Sequence, residues 1–126
     1  MEMVTNAINW FEIPVSDFER AKAFYSAIFD YEMPVFPMGE IVMGILPYEN
    51  EKSVGGAILQ TEGHEPSVHG PRVYLNGGKD LNVVLARING AGGTVLTEKT
   101  LVAEDIGYCA FFLDSEGNKL ALHSPS

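Results

Sequence analysis

A chain of 126 residues with 46% hydrophobic content can bury one sizeable core, and its 17 acids against 8 bases leave a formal charge of −9. Phosphate backbones are held by clustered lysine and arginine, so nucleic acid is not an expected partner. No apolar run approaches the roughly 20 residues of a membrane span, the first residues lack the basic and apolar regions of a signal peptide, and the single cysteine, Cys109, has no internal disulfide partner; one cytoplasmic domain with no membrane association is expected.

The chain opens its pattern at Ile8, where Trp10 and Glu12 alternate with Phe11 and Ile13 as in a strand with two different faces. Ser16 and Glu19 have the spacing of a capping box, and Phe18, Ala21, Tyr25 and Ile28 then form one helical stripe. The segment 31–36 reads as an edge strand, bracketed by Pro34 and Pro37. The runs 41–46 and 54–59 read as two further strands, the second with a Gly55-Gly56 pair that marks a bulge or a close backbone approach. Residues 60–70, without apolar periodicity, read as a linker, and its His64 and His69 as solvated.

A second copy of the plan follows. Strand 73–76 leads to a helix at 80–89 with the stripe Leu81, Val84, Leu85 and Ile88 and a glycine stop at Gly90, Gly92 and Gly93. Strands follow at 94–98, 108–113 and 119–123, the last two joined by an Asp114-Ser115-Glu116-Gly117-Asn118 turn. Asp80-Leu81 repeats Asp17-Phe18 at a spacing of half the 126-residue chain. Lys79 stands where Ser16 stood, so the hydroxyl cap is not expected to repeat. The expected class is α+β: two βαβββ modules, at about 7–60 and 71–124 with the linker at 61–70, forming curved half-sheets around a central cleft with the helices outside. Cys109, in an apolar run, reads as a buried, inert thiol.

The segment FEIPVSDFERAKAFYSAIF (11–29), the INGAGG stop (88–93) and FFLDSEGNKLAL (111–122) together resemble the vicinal oxygen chelate superfamily of glyoxalase I, bleomycin-resistance proteins and extradiol dioxygenases. The last segment is similar to that family's D-P-x-G-N turn, with Ser115 in place of proline. The resemblance implies metal ligands on the first and last strands of each module. Those positions fall on Trp10, on Val73 or Arg72, on Ile58 and on Ala121, none of which binds a divalent cation. No metal and no cofactor are therefore expected at the usual place; a displaced site would have to draw on Glu12, His123 and the linker histidines.

The resemblance also implies a small-molecule ligand and a homodimer that completes the clefts. The candidate ligand-binding residues are Trp10, Glu12, Met43, Arg72, Tyr74, Tyr108 and His123. Trp10 is a core filler or an aromatic platform; Glu12 pairs with Arg72 or meets a ligand; and the acidic balance favours cationic ligands. One reading is a metal-free aromatic cleft that sequesters a drug or metabolite. The alternative is a metal-independent lyase or isomerase with Glu12 as general base. True glyoxalase or dioxygenase chemistry is opposed by the missing ligands.

Overall fold

The computed structural model describes residues 1–126. Strand β1 (Trp10–Pro14) runs into helix α1 (Phe18–Phe29), followed by β2 (Val35–Met38), β3 (Ile41–Ile45) and β4 (Gly55–Leu59). The second module repeats this order with β5 (Tyr74–Asn76), α2 (Leu81–Ala91), β6 (Thr94–Ala103), β7 (Gly107–Leu113) and β8 (Lys119–Ser124). Each module makes its own four-stranded mixed sheet, β1-β4-β3-β2 and β5-β8-β7-β6, with the first strand parallel to the last. The fold is α+β with two repeated modules, as the periodicities indicated, but within one chain the helices lie between the two sheets and not outside a central cleft, because both helical stripes pack into one core.

Both helices start on an aspartate, and here the structure differs from the pattern reading. Asp17, not Ser16, is the N-cap of α1 and accepts from the Arg20 N–H; Asp80 does the same for α2 with Asn82. The cap therefore does repeat. Ser16 is unavailable because its N–H and hydroxyl both bond the Glu116 carboxylate, 3.0 and 3.2 Å away. At the far ends the chain turns through left-handed Asp30 and Gly92, and glycine alone takes that turn without Cβ strain.

The stripes do the packing. Phe18, Ala21, Tyr25 and Ile28 of α1, joined by Phe24, meet Leu81, Val84, Leu85 and Ile88 of α2 in one core with Ile13, Ile58, Leu75, Phe112 and Leu122 from the sheets. Burying each large side chain of this set is worth about 1.5–3 kcal/mol. Phe24 reaches across to Phe112 of the other module at 6.3 Å between ring centres. The helix-covered faces of both sheets thus turn toward a shared interior, and the opposite faces turn outward. No helix is long and apolar enough to cross a membrane.

Other boundaries moved for physical reasons. Strand β2 starts at Val35, not residue 31, because Tyr31 swings inward to donate its hydroxyl to the Ile45 carbonyl at 2.6 Å. Pro37 sits within β2, at the sheet edge, where no ladder donor is missed. Strand β6 runs on to Ala103; its outer half pairs only with β7 and is exposed, so no alternation marks it. Gly55 and Gly56 are a close approach rather than a bulge: the Tyr48 ring lies over Gly55 on one face and the Phe11 ring over Gly56 on the other.

The Asp114–Asn118 turn ties the modules together. Buried Asp114 accepts from the Tyr25 hydroxyl at 2.6 Å, from the Asn118 amide side chain and from two backbone N–H groups. Burial first, then the adjacent carboxylate, pushes the Tyr25 hydroxyl well above its ordinary pKa, which keeps it a donor. Asn118 also donates to the Pro14 carbonyl at 2.7 Å. Glu116, whose side chain is shut off from solvent, takes bonds from Arg20, Ser16 and the Asp17 N–H. Burial raises its pKa, but the bonds from Arg20, Ser115 and Asp17 outweigh that and hold it at about 2, against an ordinary 4.5.

A carboxyl depressed in this way stabilises the fold above its unfolded pKa and loses that contribution as pH falls from about 4.5 toward 2. Because solvent reaches Arg20 and screens the pair, Glu116→Ala should cost on the order of 1–2 kcal/mol near neutral pH. The gap from the parent protein in urea denaturation should narrow steadily in acid; a gap independent of pH would show that packing alone is lost. Gly56→Ala, which drives a methyl into the Phe11 ring, should cost about 1–3 kcal/mol in the same assay.

Candidate functional site

Because successive residues of a strand point to opposite faces, the inward positions of Ile13, Ile58 and Leu75 assign their neighbours to the outer faces. On the first sheet, Trp10 lies beside Gly55 and Glu12 beside Ala57, which pairs with Ile45; Leu59 pairs with Met43, and Met43 with Phe36. Trp10 is 37% exposed and meets the edge of the Tyr48 ring at 6.3 Å. Glu12, exposed, is the one charged group in this apolar setting and pairs with no cation. The expected ion pair with Arg72 does not form.

On the second sheet, Ala121 is the buried floor, with Tyr74 beside it on β5 and Phe111 on β7. The Arg72 guanidinium lies 4.4 Å above the Phe111 ring, and the Lys119 ammonium 5.7 Å from it. Tyr74 meets Phe111 edge-on at 6.5 Å. His123 shares this face and bonds the Ile106 carbonyl through Nε2 at 2.6 Å, which holds it in β8. Cys109 also lies here and is half-buried, not the enclosed thiol its apolar neighbours implied. Tyr108 points the other way, packing against the core beneath the Lys99 ammonium.

Of the seven candidate residues, Trp10, Glu12 and Met43 thus gather on one outer face, and Arg72, Tyr74 and His123 on the other. Tyr108 joins neither. Phe111, Lys119 and Tyr48 were not singled out from the sequence. Alternation along β7 was the available signal for Phe111, since Phe112 enters the core and its neighbour must face outward.

Between the two modules opens a cavity of about 910 Å³. Its walls include Phe11, Phe29, Tyr48, Tyr74, Val84 and Arg87, and it runs along β1 and β5, the unpaired edge strands of the two sheets. Tyr74 alone of the seven candidates lines it.

The position equivalent to Ala121 in the first module is Ala57, because each lies on an outer face, opposite Glu12 and Tyr74 respectively; Ile58, the residue expected from a spacing of 63, turns into the core. Trp10, Glu12, Ala57, Arg72, Tyr74 and Ala121 offer one carboxylate and no imidazole. No three His, Cys, Asp or Glu side chains converge anywhere, His64 and His69 included. A divalent cation needs three or more such donors, and this set does not fit one.

Comparisons with known proteins agree with this geometry. The model of the bleomycin resistance protein-like N-terminal family matches residues 8–43. An antibiotic binding protein from Streptomyces sp. CB03234 is similar in structure, with a TM-score of 0.66 and 23% identity over 99% of this chain and 100% of that one. A glyoxalase/bleomycin resistance protein from Albidiferax ferrireducens T118 has a TM-score of 0.63 and 20% identity over 94% and 98% of the two chains. A glyoxalase I variant from Zea mays, at 16% identity and a TM-score of 0.68, covers 91% of this chain and 44% of its own. No curated protein matches the chain in sequence. The paired βαβββ modules define a glyoxalase-like α+β architecture. The fold is shared with the glyoxalase/bleomycin resistance protein and the antibiotic binding protein among these neighbours.

The donor set makes a direct prediction for metal content. Elemental analysis after soaking with zinc, nickel, manganese or iron(II) and desalting should find no stoichiometric metal; one tightly held ion per chain would require a donor arrangement other than this one.

Proposed function

We propose that the protein binds a small, flat organic molecule in a cleft closed by two copies of the chain, the outer face of the first sheet of one copy meeting the outer face of the second sheet of the other. The observation that carries this is the outward turn of two aromatic faces, each bordered by an unpaired edge strand. Exposed strand edges can pair with another chain, and β1 and β5 are each hydrogen-bonded to a neighbouring strand on one side only. A two-fold arrangement sets β1 of each copy beside β5 of the other and satisfies both edges twice.

Such a cleft has the make-up of a small-molecule site, mostly apolar with few polar groups. Trp10 supplies a stacking platform beside Tyr48, and Ile45, Leu59 and Met43 extend the same face toward the far end of β1. Phe111 and Tyr74 form the facing wall. The structural similarity to an antibiotic binding protein supports a binding role. The alternative, a metal-independent lyase or isomerase with Glu12 as general base, needs a polar partner, and within one chain Glu12 has no ion-pair partner.

Sedimentation at micromolar concentration should give a dimer. Trp10 is the sole tryptophan, so its emission should change when planar aromatic compounds bind. Trp10→Ala should weaken that binding about five- to tenfold, the order of one aromatic stacking contact, as read by calorimetry. A monomer that binds none of the compounds would rule the proposal out.

A further inference from the structure

We infer that the ligand is an aromatic anion, a flat ring system carrying a carboxylate or a similar oxyanion. This rests on the binding role proposed above and specifies its chemistry. It runs against the charge of the whole chain, which would favour cations.

The reasoning starts from where the bases go. Of eight lysines and arginines, Arg20 is bound to Glu116 and Lys99 to Asp80. Arg87 donates to the Ile28 carbonyl. Arg72 and Lys119 instead sit over the same Phe111 ring, with no acid within ion-pair distance of either. Two like charges gathered on one sheet face repel each other, and an anion between them relieves that repulsion.

The stack also prepares Arg72 for recognition. With its plane held near an aromatic face, a guanidinium keeps its N–H edge free and loses little further rotamer entropy on binding. That edge matches a carboxylate in a two-point hydrogen-bonded fork. Lys119 adds a point charge 5.7 Å from the same ring. In the closed cleft the opposing wall brings Glu12 as its only charge, so cations outnumber acids two to one. The ring of the ligand then stacks on Trp10 and its oxyanion reaches Arg72. Net charge sets the long-range field, but at contact distance the local pair dominates because salt screens beyond roughly 10 Å.

The test uses three probes of one shape: 9-anthracenecarboxylate, neutral 9-anthracenemethanol and cationic 9-(aminomethyl)anthracene. Each is titrated against the protein, with quenching of Trp10 emission as the readout. The carboxylate should bind at least about tenfold tighter than the other two. Arg72→Gln and Lys119→Gln should each reduce that advantage several-fold while leaving the neutral probe unchanged, and Arg72→Lys should recover only part of it. Arg72 is exposed, and an unaltered melting profile will show that its variants fold. Equal binding of all three probes, or preference for the amine, overturns the anion assignment and leaves the binding role standing. Failure of every probe to bind overturns both.

Discussion

One carboxylate, that of Glu116, organises the way the halves of this molecule meet. It lies in the hairpin turn between β7 and β8, at the end of the second module, yet its partners are Ser16, Asp17 and Arg20 at the start of α1 in the first. The N-terminus of a helix offers unpaired N–H groups and a partial positive charge. A carboxylate supplied from a distant turn satisfies both. Beside it Asp114 and Asn118 hold Tyr25 and the Pro14 carbonyl, so a five-residue turn anchors the first helix at one end and its middle through a buried hydroxyl. This network closes the shared core and fixes the relative placement of the two sheets.

That placement decides which surfaces are free for function. With both helices between the sheets, the helix-covered faces are used up in the core. The faces left over carry Trp10 and Glu12 on one side and Arg72, Tyr74, Phe111, Lys119 and His123 on the other. Neither wall is a pocket by itself. Each has an aromatic group, a few polar ones and an adjoining strand edge with unused hydrogen-bonding capacity, which is the form expected of half a site. Gly55 in β4 serves the same end, since it lets the Tyr48 ring lie against the backbone on the outer face beside Trp10, while Gly56 makes room for Phe11 on the core side.

The charges of the molecule divide along similar lines. Acids dominate the sequence, but those that matter structurally are consumed at helix starts and in the joining turn: Asp17, Asp80, Asp114 and Glu116. The bases near them are neutralised in turn. Arg72 and Lys119 are left to an aromatic ring, and local chemistry at that ring differs in sign from the field of the whole chain.

The sequence by itself determined the modules. Helical stripes, strand alternation, the half-chain repeat and the Asp114–Asn118 turn were legible because each depends on residues near in sequence and on the fixed periods of helix and strand. The resemblance placed the expected ligand positions on Trp10, Val73 or Arg72, Ile58 and Ala121, and the structure moved one of them from Ile58 to Ala57. What only the tertiary structure decided was every partnership across long separations. Asp17 rather than Ser16 caps α1 because Glu116, a hundred residues from Ser16, claims the serine; Arg72 stacks on Phe111 instead of pairing with Glu12; Tyr108 turns inward while Phe111 turns outward. Periodicity says that a residue has a face, but which face meets the core depends on how two separately formed sheets dock, and that is set by contacts no local pattern encodes.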